Sequence, residues 1–175
     1  MKSINQYITE RLFVKRKTYN YFPKTKEELK EIILQRIKGE GYEVDLNDID
    51  TSKITDMSKL FNNMKEFNGD ISEWDVSNVT NMSGLFYGCD NFNQDISNWD
   101  VSNVTNMSFM FYGCTKLNQD ISNWDVSKVT NMFEMFNGCE AFNQDISKWD
   151  VSNVKRNTNI FNNCPIEEKY KPHFK

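Results

Sequence analysis

A 25-residue unit recurs along this chain without insertion or deletion, and nothing else in it restricts the fold as tightly. Trp74, Trp99, Trp124 and Trp149 keep that spacing, as do Cys89, Cys114, Cys139 and Cys164. Phe61, Phe86, Phe111, Phe136 and Phe161 keep it too. The unit reads Ile-Ser-x-Trp-Asp-Val-Ser-x-Val-x-x-Met-x-x-x-Phe-x-x-Cys-x-x-x-Asn-x-Asp. A fixed period of this kind specifies a solenoid in which each unit is one coil, burying its apolar side only against its neighbours. A repeat places identical residues in columns, whereas catalysis needs unlike residues converging on one point. The expectation is therefore that the chain is not an enzyme.

The repeat starts before its clean copies. Residues 45–61 align without gaps onto 70–86, with Leu46 in the place of Ile71 and Ile49 in that of Trp74. The predicted organisation is an N-terminal helical cap or anchor over 1–44, a solenoid of about five units over 45–169 and a tail over 170–175. Within 1–44, the spacing of Ile4, Tyr7, Ile8 and Leu12 predicts a short helix over 4–14. Thr25 and Glu28 form a capping box, and Leu29, Ile33 and Ile37 share one face before Gly39 and Gly41, which predicts a helix over about 26–38. That helix is expected to cover the open end of the first coil. Within a unit, Trp99 and Val101 at spacing two suggest one strand face, and the spacing of Met107, Met110, Phe111 and Cys114 suggests a short helical turn. The expected core is Ile96, Trp99, Val101, Val104, Met107, Phe111, Cys114 and their equivalents.

These residues carry a resemblance. Ile96-x-x-Trp99-x-Val101 fits the Leu-x-x-Leu-x-Leu core of leucine-rich repeats, and the string from Asn93 to Cys114 resembles the BspA-like surface-protein repeats of bacterial, mycoplasmal and bacteriophage proteins. The resemblance implies a leucine-rich-repeat fold: an α/β solenoid, a right-handed coil of strand plus short helical turn. It also implies a binding or adhesion role, displayed on a cell surface or a phage virion. An intracellular scaffold is the alternative, and a carbohydrate-active enzyme built on a solenoid a more distant one.

Charge narrows the partners. Residues 1–44 carry ten Lys and Arg against six Asp and Glu, and 45–175 carry eleven against nineteen. An acidic stack does not suit a phosphate backbone, so no nucleic-acid partner is expected. No apolar run approaches the roughly 18 residues of a membrane span, so no membrane insertion is expected either. Met1–Tyr7 lacks the apolar core of a signal peptide, which predicts a cytoplasmic or virion-associated location. The remaining partner classes are a protein or glycan along the repeat face, or a second copy through the solenoid ends.

The columns supply the candidate site residues. The Trp column reads as core bulk rather than as a stacking platform. The Cys column reads as buried free thiols, because parallel side chains make poor disulfide geometry. His173 is the only histidine and there is no Cys-x-x-Cys pair, so neither a metal site nor a cofactor is expected. The outward Asp75, Asp100, Asp125 and Asp150 admit three readings: local hydrogen bonds to the following turn, docking of a basic partner, or a row of calcium ions. Tyr87 and Tyr112, with Asn62 and Asn137 at the equivalent positions, are outward aromatic candidates for partner contact.

Overall fold

The computed structural model describes residues 17–174; the helix expected over 4–14 lies outside them. Among the described residues there is one α-helix, α1 (Lys26–Glu40), one three-residue 3-10 helix (Glu168–Tyr170), and no extended strand. Strand-like pairing is confined to isolated parallel bridges, such as Asn81 with Asn106 and Asn106 with Asn131. This corrects the expected architecture. The α/β solenoid of leucine-rich-repeat type does not form, because neither its strand nor its short helix is present in any described unit.

Each unit is instead a chain of β-turns. In the unit beginning at Asp95, hydrogen bonds join Trp99 N–H to Ile96, Val104 to Val101, Met110 to Met107, Cys114 to Phe111 and Leu117 to Cys114, at 2.9–3.2 Å. Every one of these turn-end residues is buried. The chain thus points an apolar side chain inward at the first and last position of each turn. That explains why the spacing misled: an apolar residue every third position suits a helix, and it equally suits a run of four-residue turns. Trp99 and Val101 both face inward, but as the end of one turn and the start of the next rather than as one strand face.

Successive units stack. The N–H groups of Met107, Phe109, Phe111 and Gly113 donate to the carbonyls of Asn131, Phe133, Met135 and Asn137 in the next coil. The same four rungs recur at each step from Met57 to Gly138, at 2.7–3.1 Å. A return bond runs from Thr105 N–H to the Thr80 carbonyl at 2.9 Å, and likewise from Thr80, Thr130 and Lys155. Inside, Phe61, Phe86, Phe111, Phe136 and Phe161 form one column of near-parallel rings with centroids 5.5–5.8 Å apart. The expected core residues of the unit are all 0–4% exposed, and Met110 and Leu117 join them.

The first coil is covered by α1. The Thr25 side chain accepts from Glu28 N–H at 3.2 Å, and the Glu28 carboxylate reaches back to Lys24 N–H at 2.7 Å, one residue earlier than a standard capping box. Gly41, with φ of +88°, ends the helix. Leu29, Ile33 and Ile37 are buried. Lys26 bonds the Asp56 carboxylate at 2.9 Å, and Arg36 bonds that of Asp48 at 2.7 Å. These two contacts fix both ends of α1 to the same coil. At the opposite end, residues 165–174 fold back, Ile166 is buried, and the Tyr170 carbonyl accepts from Ile146 N–H at 3.0 Å.

Candidate functional site: an aromatic strip on the variable side

The two sides of the stack differ in what the repeat does with them. On the Asp and Trp side, each column has one structural job. Asp75, Asp100, Asp125 and Asp150 accept from the N–H of Ser77, Ser102, Ser127 and Ser152 at 3.0–3.1 Å, the bond of an Asx turn. Asp70, Asp95, Asp120 and Asp145 do the same for Ser72, Ser97, Ser122 and Ser147 at 2.9–3.0 Å. The Ser102 hydroxyl and N–H hold the Asp100 carboxyl below the usual carboxylate range, and Ser127 acts likewise on Asp125. Among the described residues, no three His, Cys, Asp or Glu side chains gather in a way that could hold a metal ion.

The buried columns are equally committed. Each Trp indole N–H donates to a carbonyl of the preceding coil, as Trp99 does to Ile71 at 3.2 Å and Trp124 to Ile96 at 3.1 Å. The thiols of Cys89, Cys114 and Cys139 donate to the carbonyls of Phe61, Phe86 and Phe111, each at 3.0 Å. All four cysteines are free. Burial pushes the Cys89 thiol up to about 12, and raises those of Cys114 and Cys139 well above the ordinary thiol range. The Asn columns bridge coils: Asn118 N–H donates to Asn93 Oδ1 at 2.9 Å, and Asn103 Nδ2 to the Ser77 carbonyl at 2.8 Å.

On the opposite side the units depart from one another. Five equivalent positions, Lys59, Gly84, Phe109, Glu134 and Asn159, all have φ between +53° and +60° and carry five different side chains. Beside them, Ser83 and Ser108 give way to Phe133, and Tyr87 and Tyr112 give way to Asn137. The half-buried aromatics meet. The Tyr87 and Tyr112 rings stack at 4.7 Å and 4°, the spacing of adjacent coils. Phe109 sits edge-on to Tyr87 at 6.3 Å and to Phe133 at 5.1 Å. The Arg156 guanidinium lies 5.7 Å above the Phe133 ring.

Gly84 interrupts this row. Where its neighbours carry Lys59 and Phe109, it carries no side chain, and a groove of about 530 Å³ opens between them. Lys59, Asn62, Asn63, Ser83, Tyr87 and Phe109 are among its lining residues. Lys59 has no acidic partner among the described residues.

Of the six residues singled out from sequence, the structure brings Tyr87 and Tyr112 together and leaves the four Asp on another side of the coil, each bonded within its own turn. Sequence reasoning missed Phe109, Phe133 and the Gly84 recess. The signal was available: aligned at 25 residues, the column from Lys59 to Asn159 holds five different residues, as do those from Lys65 to Pro165 and from Glu66 to Ile166, and of the three it alone carries an aromatic. Also legible but unread was a shorter repeat inside the unit, Asx-apolar-Ser-x-apolar. It occurs as Asp95–Trp99, Asp100–Val104 and, with Asn as its first residue, Asn106–Met110. Asn106 Oδ1 accepts from Ser108 N–H at 3.1 Å, so all three copies are Asx turns.

A family described as "Mycoplasma protein of unknown function, DUF285" has a model that matches residues 34–123 and again 96–169, and the chain belongs to it. The two matches share residues 96–123, a little more than one 25-residue unit. No curated protein and no solved structure matches the chain. Among the described residues, no helix is long and apolar enough to cross a membrane.

Proposed function

We propose, with membership of that family as the premise, that the chain is a non-catalytic recognition module whose contact surface is the aromatic strip of Tyr87, Phe109, Tyr112 and Phe133. One observation carries this reading: the half-exposed aromatics that break the repeat gather on one side of the stack, in ordered contact with one another. The Asp, Trp and Cys columns, by contrast, are bonded within their own turn or to a neighbouring coil. Aromatic side chains offer large, rigid contact area at low entropy cost, which is why they dominate recognition surfaces. The resemblance to BspA-like surface repeats supports the same reading, and display on a cell or virion surface is part of the proposal. The Asp columns are spent on their own turns, which favours the aromatic strip over them as the contact face.

Arrays of glycans and of peptides test the proposal. Wild type and the Tyr87→Ala/Tyr112→Ala variant are applied side by side, with melting midpoints measured in parallel. The expected result is a ligand class retained by wild type and lost by the variant, with both proteins folded. Equal retention by the two, or no ligand in either array, overturns it.

A further inference from the structure

The Gly84 recess has a chemistry more specific than an apolar patch. One wall is the ring of Tyr87 and another is Phe109, with Asn62, Asn63 and Ser83 beside them. A Cβ built on Gly84 would stand 3.4 Å from Lys59 Cγ and 3.7 Å from Tyr87 Cβ, so the recess lies directly between the lysine stem and the tyrosine. An aromatic face takes the CH side of a ring. Amides and a hydroxyl set beside that face suit ring hydroxyls better than they suit an apolar side chain. A lysine with no acidic partner among the described residues, while residues 45–175 carry nineteen acids against eleven bases, marks where a negative group is favoured. The volume of about 530 Å³ is within the range of small-ligand sites, roughly 300–1,000 Å³.

We infer that this recess binds an acidic pyranose, a hexuronic acid residue of a glycan. Its ring packs on Tyr87 and its carboxylate pairs with Lys59. The Tyr87 and Tyr112 rings are stacked on each other at 4.7 Å and 4°, so the face that Tyr87 offers the sugar is the one turned away from Tyr112. This rests on the aromatic strip being the contact face.

The fold provides a clean variant. The Gly84 column already holds Phe109, Glu134 and Asn159 at the same left-handed backbone angle, so Gly84→Phe reproduces a side chain the stack accepts one coil later. It fills the recess while leaving Tyr87 and Lys59 in place. Calorimetric titration or NMR shift mapping is run with methyl glucuronoside, methyl glucoside and acetate. The expected outcome is millimolar binding of the glucuronoside, at least fivefold weaker binding of the glucoside, and no binding of acetate. Lys59→Gln should abolish the difference between the two sugars, and Gly84→Phe should abolish binding of both in a protein that still unfolds cooperatively, its melting midpoint lowered by a few degrees for the left-handed angle.

Failure of wild type to bind the glucuronoside overturns the inference. So does equal binding by Gly84→Phe, or acetate binding as tightly as the sugar, since then no ring is recognised. If the arrays meanwhile show a peptide retained through Tyr87 and Tyr112, the recognition module stands and only the acidic sugar falls. If the arrays are empty as well, both fall.

Discussion

The Asp–Trp side and the aromatic side of this stack are built on one backbone plan, yet the repeat holds the first almost constant and lets the second vary. Trp74, Trp99, Trp124 and Trp149 are 4–5% exposed, and each bonds a carbonyl in the coil before it. At the left-handed column the backbone angle is kept while the side chain runs through Lys, Gly, Phe, Glu and Asn. The lesson is that the backbone rungs stack the coils wherever they occur, and side chains are constrained only where they point inward or close a turn. Positions free of both duties are free to acquire a partner. For non-glycine residues a left-handed angle costs roughly 1–2 kcal/mol. The stack accepts that cost at Phe109 and Glu134 because the N–H groups there are rungs to the next coil.

The sharpest way to break this comparison is to truncate one residue from each side. Trp124→Ala should cost about 3–5 kcal/mol, since it removes a large core aromatic and the second of the two donors to the Ile96 carbonyl. Tyr112→Ala should cost only about 1.5–2.5 kcal/mol, about 0.5–1.5 kcal/mol for the aromatic pair and about 1 kcal/mol for the area of a half-buried ring. Urea melts of the two variants decide it. Similar losses would mean that the variable side also holds the fold, and would weaken its claim to be a contact face.

A second contrast lies within the Cys column. Burial raises the pKa of all four thiols, but Cys89, Cys114 and Cys139 are buried donors, whereas Cys164 is half-buried in the last unit and its bond to the Phe142 carbonyl is long, 3.6 Å. Thiolate is the reactive form, so a thiol reagent at pH 8 should label Cys164 first and the other three only on unfolding. Mass mapping of partly labelled protein reads the order. Early labelling of Cys114 would contradict the tight interior.

The smallest effects belong to the Asx turns. Asp95, Asp100, Asp125 and Asp145 have carboxyls depressed by the hydroxyl and then the N–H of the serine two residues on. A depressed folded-state pKa contributes stability that is fully present above the unfolded value, about 3.9, and is lost as pH falls through the folded value. The melting midpoint should therefore be level above about pH 5 and decline below about pH 4. Asp100→Ala should cost about 0.5–1.5 kcal/mol at neutral pH, the net worth of one hydrogen bond. Asp100→Asn should be nearly neutral, because Asn106 already serves in the same kind of turn through its amide oxygen. A flat midpoint down to pH 2 would show that these carboxylates do not support the turns.

The sequence alone determined the register, the identity of the core columns and the helix that covers the first coil. Each depends on a strong local rule: exact periodicity, apolar identity, and a cap with a three- and four-residue apolar stripe. Tertiary structure decided the rest. Whether Met107 N–H closes a helical turn or reaches the Asn131 carbonyl depends on a coil 24 residues further on, which no local pattern reports. That choice turned the expected strand and helix into a chain of turns. It also decided which outward side chains meet. Tyr87 and Tyr112 were visible as aromatics in one column, but their stack, the edge-on Phe109 and the recess at Gly84 exist only because neighbouring coils lie one rung apart.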